Sequence, residues 1–167
     1  MKNMLFIMNP KAGRTTLKNS LVDVLEVFCN NDYAVRTYLT KSADDAERIV
    51  QEEGANYDVI VCAGGDGTLG NTVTGYMKSG IRVPLGYIPC GSTNDFARSM
   101  DIPRETVEAA EMIVKAEPFS IDIGSLNDKN FVYVAAFGMF SDTSYATPQN
   151  MKNIFGHAAY VLQGIKS

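Results

Sequence analysis

The chain is poor in the residues from which most hydrolytic and metal sites are built. It has one histidine, His157, with no carboxylate near it in sequence. His157 therefore reads as structural, and a lone histidine leaves no convincing Ser/His/Asp nucleophile system. The three cysteines, Cys29, Cys62 and Cys90, are odd in number and lack metal-ligand spacing. That excludes a zinc-type cluster and favours reduced thiols in a cytosolic protein, with Cys62 a small core residue. Tryptophan is absent, and no apolar run approaches the roughly 18 residues of a membrane span. Met1-Lys2-Asn3 leads straight into a strand-length run, unlike a signal peptide. Positive charge is also short: a net charge of −4 argues against a nucleic-acid surface covering a whole face, while leaving room for a local basic patch. Repeats and low-complexity segments are missing.

What remains is a soluble-type composition in 167 residues, enough for one domain with a sizeable core. The segment that organises it is Ala63-Gly64-Gly65-Asp66-Gly67-Thr68, after the apolar run Asp58-Val59-Ile60-Val61-Cys62. The β-branched run reads as a buried parallel strand. Leu69, Val73, Tyr76 and Met77 then follow at helical spacing. Strand, glycine turn and helix N-terminus together suit phosphate: glycines let a ligand approach the backbone, and the helix end offers N–H groups and a positive dipole. Asp66 beside such an anion site makes sense if a divalent cation lies between them. A dinucleotide Rossmann site fits poorly, because the Gly-x-Gly-x-x-Gly order is missing and the turn follows the third strand.

Met4 to Met8 predicts a first strand, leaving into the basic loop Asn9-Pro10-Lys11-Ala12-Gly13-Arg14, which lacks Walker spacing. Leu17, Leu21, Val24, Leu25 and Phe28 share a helical face. Tyr33 to Leu39 predicts the second strand, ended by Thr40-Lys41-Ser42, with Ser42 as N-cap of a helix stopped by Gly54. Pro84 to Ile88 predicts the fourth strand, running into Pro89-Cys90-Gly91-Ser92-Thr93-Asn94-Asp95-Phe96-Ala97-Arg98, a second polar turn opening a short helix. Val107, Ala110, Ile113 and Val114 mark another helix, after Pro103 and before Pro118. Phe119 to Gly124 then alternates with period two, Asn127 to Asn130 reads as a turn, and Phe131 to Ala136 as the next strand, so a hairpin ends the parallel series. Ile154, Ala158, Val161, Leu162 and Ile165 form a last apolar helical face, and the chain stops without a cap, as a cut terminus does. The expected fold is a three-layer α/β/α sandwich with a mostly parallel, Rossmann-like sheet. Two polar turns at carboxyl ends of strands place the ligand at that edge. The groups there suit a nucleoside triphosphate with magnesium: donors for oxygens and carboxylates for the cation.

Gly64-Gly65-Asp66-Gly67-Thr68-Leu69 together with Gly91-Ser92-Thr93-Asn94-Asp95-Phe96-Ala97 resembles the diacylglycerol kinase catalytic domain of bacterial soluble lipid kinases. Asn9-Pro10-Lys11-Ala12-Gly13, Ile121-Asp122-Ile123-Gly124, Tyr145-Ala146-Thr147-Pro148 and Gly156-His157-Ala158-Ala159-Tyr160 match in order, so the resemblance covers nearly the whole chain. NAD kinases share the first motif and phosphofructokinases do so loosely; the second separates the lipid kinases. The resemblance implies an ATP site lined by Asn9, Pro10, Lys11, Ala12, Gly13, Thr40, Gly64, Gly65, Asp66, Gly67, Thr68, Leu69, Gly70, Asn71 and Ser92. It also implies that Asp66, Asp95 and Asp122 serve catalysis and hold Mg2+ through water.

The chain departs from the family at Gly70-Asn71-Thr72, where Asn-Glu-Val is usual, and at Ser92, where threonine is usual. The family's second, β-sandwich domain, with the proposed general base and a structural metal site, would follow residue 167. The chain is thus expected to be the nucleotide-binding half of an ATP-dependent lipid kinase, inactive alone. Residues 1–124 would form the nucleotide-binding domain, and residues 125–167 a hairpin strand and helix leading toward the second. Expected partners are ATP or ADP and a lipid such as diacylglycerol. Contact with the membrane is expected to be transient and peripheral from the cytoplasm, without nucleic acid; a homodimer stays open. The alternatives are an NAD kinase-like or sphingoid-base kinase, and a non-catalytic nucleotide-binding or dimerisation domain.

Overall fold

The computed structural model of the chain describes residues 1–12, 16–126 and 129–132. It has the expected α/β architecture. Strands β1 (Lys2–Met8), β2 (Tyr33–Leu39), β3 (Val59–Gly64) and β4 (Leu85–Pro89) form one parallel sheet in the order β2-β1-β3-β4. Helices α1 (Thr16–Asn30), α2 (Asp45–Glu53), α3 (Asp66–Ser79), α4 (Asp95–Ser99) and α5 (Thr106–Lys115) connect and cover them.

The period of two within each strand sorts the core into two faces. Met4, Phe6 and Met8 of β1 join Val59, Val61 and Ala63 of β3 and Ile88 of β4 in packing against Leu17, Val24 and Phe28 of α1 and Ala109 and Ala110 of α5. Leu5, Ile7 and Ile60 point the other way, onto Ala46, Ile49 and Val50 of α2. Further along that second face, Cys62 and Tyr87 meet Leu69 and Val73 of α3 and Ala97 of α4. β1 and β3 are buried on both faces, which is why their sequences read as unbroken apolar runs. Phe6 meets Phe28 edge-on at 5.6 Å, an aromatic arrangement favoured by the ring quadrupoles.

One capping expectation needs correction. Ser42 is not the N-cap of α2; Asp44 holds that position without a side-chain bond, and Asp45 reaches back to the amides of Lys41 (2.7 Å) and Ser42 (3.2 Å). The Lys41 N–H, first among the causes, holds the Asp45 carboxyl below the usual carboxylate range. Gly54 ends α2 as expected, with φ −54°. Its lack of a side chain matters for space, since a Cβ there would stand 2.8 Å from Ile81 Cδ1. A left-handed C-cap occurs at Gly80, after α3.

The hairpin exists but begins later than its alternation suggests. Antiparallel strands β5 (Gly124–Leu126) and β6 (Lys129–Phe131) form it, while Phe119 to Ile123 is not a strand. Phe119 and Ile121 are 70% and 40% exposed, so neither finds the buried face that would fix a strand. The segment instead helps to line a groove of about 800 Å³ beside β4, with Leu85, Tyr87, Phe96 and Ile113. β6 begins at Lys129, inside the turn expected over 127–130, and of the expected strand 131–136 only Phe131 and Val132 are described; the 145–148 and 156–160 motifs, His157 and the last helix lie outside the described residues.

All three cysteines are free; Cys29 is exposed, and Cys62 and Cys90 are buried. Burial pushes the thiols of Cys62 and Cys90 up to about 12, so they stay protonated and unreactive. A thiol reagent at pH 8 is expected to label one cysteine in the folded chain and three in denaturant. Rapid labelling of all three without denaturant would contradict the packing of β3 against β4.

Candidate nucleotide-binding site

Because the four strands are parallel, their exits share one edge. The exits of β1, β2 and β4 are each held by a ladder bond that continues past the strand end. Asn9 N–H donates to Ala63 O (3.0 Å), Thr40 N–H to Met8 O (2.9 Å) and Cys90 N–H to Gly64 O (2.7 Å). The first residues of these loops are therefore as fixed as the sheet itself.

Side chains then tie the loops to one another. The Asn9 amide donates to Thr68 Oγ1 (3.0 Å) and accepts from Lys11 N–H (2.9 Å), joining the first loop to the first turn of α3. Asn71 donates to Ala43 O (2.7 Å), joining α3 to the loop before α2. A glutamate carboxylate in that place could not donate this bond, which gives the departure at Asn71 a structural content.

The two polar turns meet directly. A Cβ on Gly91 would lie 2.6 Å from Gly65 Cα and 2.7 Å from Asn94 Oδ1. Such contacts are closer than carbon and oxygen atoms tolerate, so only glycine lets the backbones approach this far. Asn94 is buried and left-handed (φ 52°), a conformation asparagine adopts more readily than most residues. Its amide clasps Gly91 at both ends, accepting from the N–H and donating to the carbonyl, each at 2.8 Å.

Asp66 also bridges the turns. Its carboxylate accepts from Thr93 Oγ1 (3.1 Å) and from the N–H groups of Asp95 (3.2 Å) and Phe96 (3.3 Å). It thus caps α4 from another element, where its charge meets the positive end of the helix. Asp95 opens α4, next to this cap. Asp122 is exposed on the segment before β5. Among the described residues, no three His, Cys, Asp or Glu side chains gather as a metal cluster.

Of the other expected site residues, Thr40 and Thr68 are buried at the edge, Lys11 is exposed, Ala12 is buried, and Ser92 lies half-buried in the second turn. Pro10 is exposed, Leu69 lies in the core under α3, and Gly13 falls outside the described residues. Cβ atoms at Gly67 and Gly70 would meet nothing within 4 Å, so the surface of the first turn of α3 is open to a ligand. A cavity of about 340 Å³ opens beside the second turn, lined by Thr93, Asn94, Ala97, Arg98, Asp101 and Arg104.

Residues 3–126 match the family model described as the diacylglycerol kinase catalytic domain. The chain belongs to that family. It is 38% identical over 168 residues to the diacylglycerol kinase of Bacillus subtilis (strain 168), covering 99% of this chain and 55% of the relative. It is 37% identical over 169 residues to that of Staphylococcus aureus (strain JH9), covering 99% and 53%. A crystal structure of a diacylglycerol kinase from Bacillus anthracis str. Sterne superposes with a TM-score of 0.72 at 32% identity, over 78% of this chain and 45% of that one. The chain therefore spans about half the length of the curated relatives it matches. Within this diacylglycerol kinase-type domain, residue types pointed to both turns. They gave no sign that the Tyr87 hydroxyl and the Asn94 amide meet where the two turns cross; the only signal was an asparagine suited to a left-handed turn and a polar-tipped aromatic within an apolar strand.

Proposed function

We propose that this chain is the nucleotide-binding half of an ATP-dependent lipid kinase that phosphorylates a lipid hydroxyl, such as that of diacylglycerol. The observation that carries the proposal is the Gly65–Gly91 contact. It sets two backbone turns and the N-terminus of α3 side by side at the carboxyl edge of a parallel sheet, where polyphosphate oxygens find N–H donors. Names of relatives supply the lipid acceptor.

In this reading the loop starting at Asn9, Thr40, the turn from Gly64 to Asn71, and Ser92 bind and orient the nucleotide. Mg2+ supplies neutralisation of the phosphate charge when bound. Asp66 suits a role through water rather than direct ligation. A carboxylate offers about four lone-pair sites, and three of those on Asp66 already accept protein hydrogen bonds. Asp95 and Asp122 complete the proposed network. The acceptor oxygen bonds to the γ-phosphorus as the bond to the ADP oxygen breaks, and the hydroxyl proton passes to a base outside this chain. The 167 residues alone are therefore proposed to bind nucleotide without turnover. Residues 1–124 form the nucleotide domain, and 125–167 lead toward the second. Among the described residues no helix is long and apolar enough to cross a membrane. Access to lipid is proposed to come from transient peripheral contact on the cytoplasmic side.

Calorimetric titration of Mg-ADP and Mg-ATP into the chain tests the proposal, beside Asp66→Ala and Ser92→Ala. Saturable binding that both substitutions weaken by about tenfold or more is the expected result. Binding indifferent to both would move the nucleotide away from the two turns.

A further inference from the structure

Tyr87 is the polar group beneath the site that the proposed chemistry does not use. It lies in β4, opposite Cys62 of β3 in the sheet register, and is 4% exposed. Its ring packs 6.1 Å from the ring of Phe96, the second residue of α4. The hydroxyl emerges at the junction of the two turns. It donates to the Gly64 carbonyl at 3.1 Å, with Asn94 Oδ1 also within reach at 3.4 Å. Gly64 leads into the first turn, and Asn94 closes the second around Gly91. One phenol proton thus faces an acceptor from each turn.

We propose that Tyr87 is a positioning residue, whose hydroxyl sets the spacing of the two glycine turns and thereby the affinity of the nucleotide pocket between them. The proposal rests on the nucleotide reading of the site. Three features support it. The Gly65–Gly91 contact limits how closely the turns can approach but does not resist their separation. The Asn94 clasp organises the second turn internally and makes no bond to the first. The Asp66 bonds join the turns further along, at Thr93 and the first amides of α4, beyond Gly91. The Tyr87 hydroxyl acts at the crossing point itself, in a buried place where water cannot replace it. Burial first, and then the nearby charge of Asp66, raises the Tyr87 hydroxyl far above the ordinary tyrosine range, so it remains a donor at every working pH.

Tyr87→Phe tests this cleanly. Without the hydroxyl, Gly64 O still accepts from Cys90 N–H, and Asn94 Oδ1 still accepts from Gly91 N–H, so neither oxygen loses its last partner. The ring and its packing stay. Tyr76→Phe is the matched control: its hydroxyl donates to Val83 O (2.6 Å), beyond the C-terminal end of α3 and away from the turns. Two measurements are made on the full chain, amide hydrogen exchange and Mg-ADP titration.

In Tyr87→Phe the Gly91 and Phe96 amides are expected to exchange roughly tenfold faster, while those of Ile60 and Val61 in the sheet keep wild-type rates. Mg-ADP affinity is expected to fall about three- to tenfold, and to be unchanged in Tyr76→Phe. General destabilisation would accelerate sheet amides along with the turns, so that pattern overturns the proposal. Unchanged exchange at Gly91, or faster exchange with unaltered affinity, overturns it as well. A wild-type chain that takes up no Mg-ADP overturns the nucleotide reading instead; the exchange rates then decide alone whether Tyr87 spaces the turns.

Discussion

Gly91→Ala is expected to weaken Mg-ADP binding by roughly two orders of magnitude while the chain stays folded. The added Cβ would stand 2.6 Å from Gly65 Cα and 2.7 Å from Asn94 Oδ1. Neither neighbour is a flexible side-chain tip. Gly65 is backbone, and the Asn94 amide is pinned at both ends by Gly91 itself. Relief requires the two turns to part by about an ångström, which takes donors on one turn out of hydrogen-bond reach of phosphate oxygens held by the other. The sheet and both core faces lie below the change, so the melting temperature should move by only a few degrees. Calorimetry and a thermal melt on the same sample check both halves. An alanine variant with wild-type affinity would show that the turns do not border a common ligand.

The largest loss of stability is expected from Gly75→Ala, in the middle of α3. Alanine normally favours a helix over glycine by about 1 kcal/mol. Here a Cβ would lie 2.4 Å from Glu47 O and 2.9 Å from Glu47 Cα, so α2 would have to retreat from α3. Overpacking of this kind costs about 1–3 kcal/mol, and a backbone obstacle with no rotamer to yield belongs at or above the upper end. The net loss is about 2 kcal/mol, a melting temperature lower by about 4–8 °C. Gly70→Ala provides the contrast within one helix. Its Cβ would meet nothing, so the propensity gain should appear unopposed as a small rise. If both variants melted higher than wild type, the close crossing of α2 and α3 would be wrong.

Sequence was informative where local chemistry decides structure. The runs at Met4 to Met8 and Val59 to Cys62 are buried on both faces, and glycines or prolines bound them, so the βα series could be read directly. Both glycine turns were legible for the same reason. Reading failed where a residue's role depends on a partner far along the chain. Asp66 was read from its place beside the glycine turn alone, and nothing local shows that it caps α4, whose amides lie 29 and 30 residues away. Tyr87 read rightly as part of the fourth strand, but nothing local shows which carbonyl its hydroxyl meets. The alternation of Phe119 to Ile123 suggested a strand, but alternation becomes a strand only when another strand or a buried face receives it.

The strand order β2-β1-β3-β4 has a kinetic corollary. The sheet is wholly parallel, so no pair of neighbouring strands can zip from a tight hairpin, and each pairing must wait for a helical crossover to close. The Gly65–Gly91 contact depends on the last crossover, because β4 is the last of the four strands of this sheet to emerge from synthesis and, among the described residues, pairs only with β3. Nucleotide uptake during refolding should therefore trail the recovery of helical signal, and would mark the moment at which the edge strand docks.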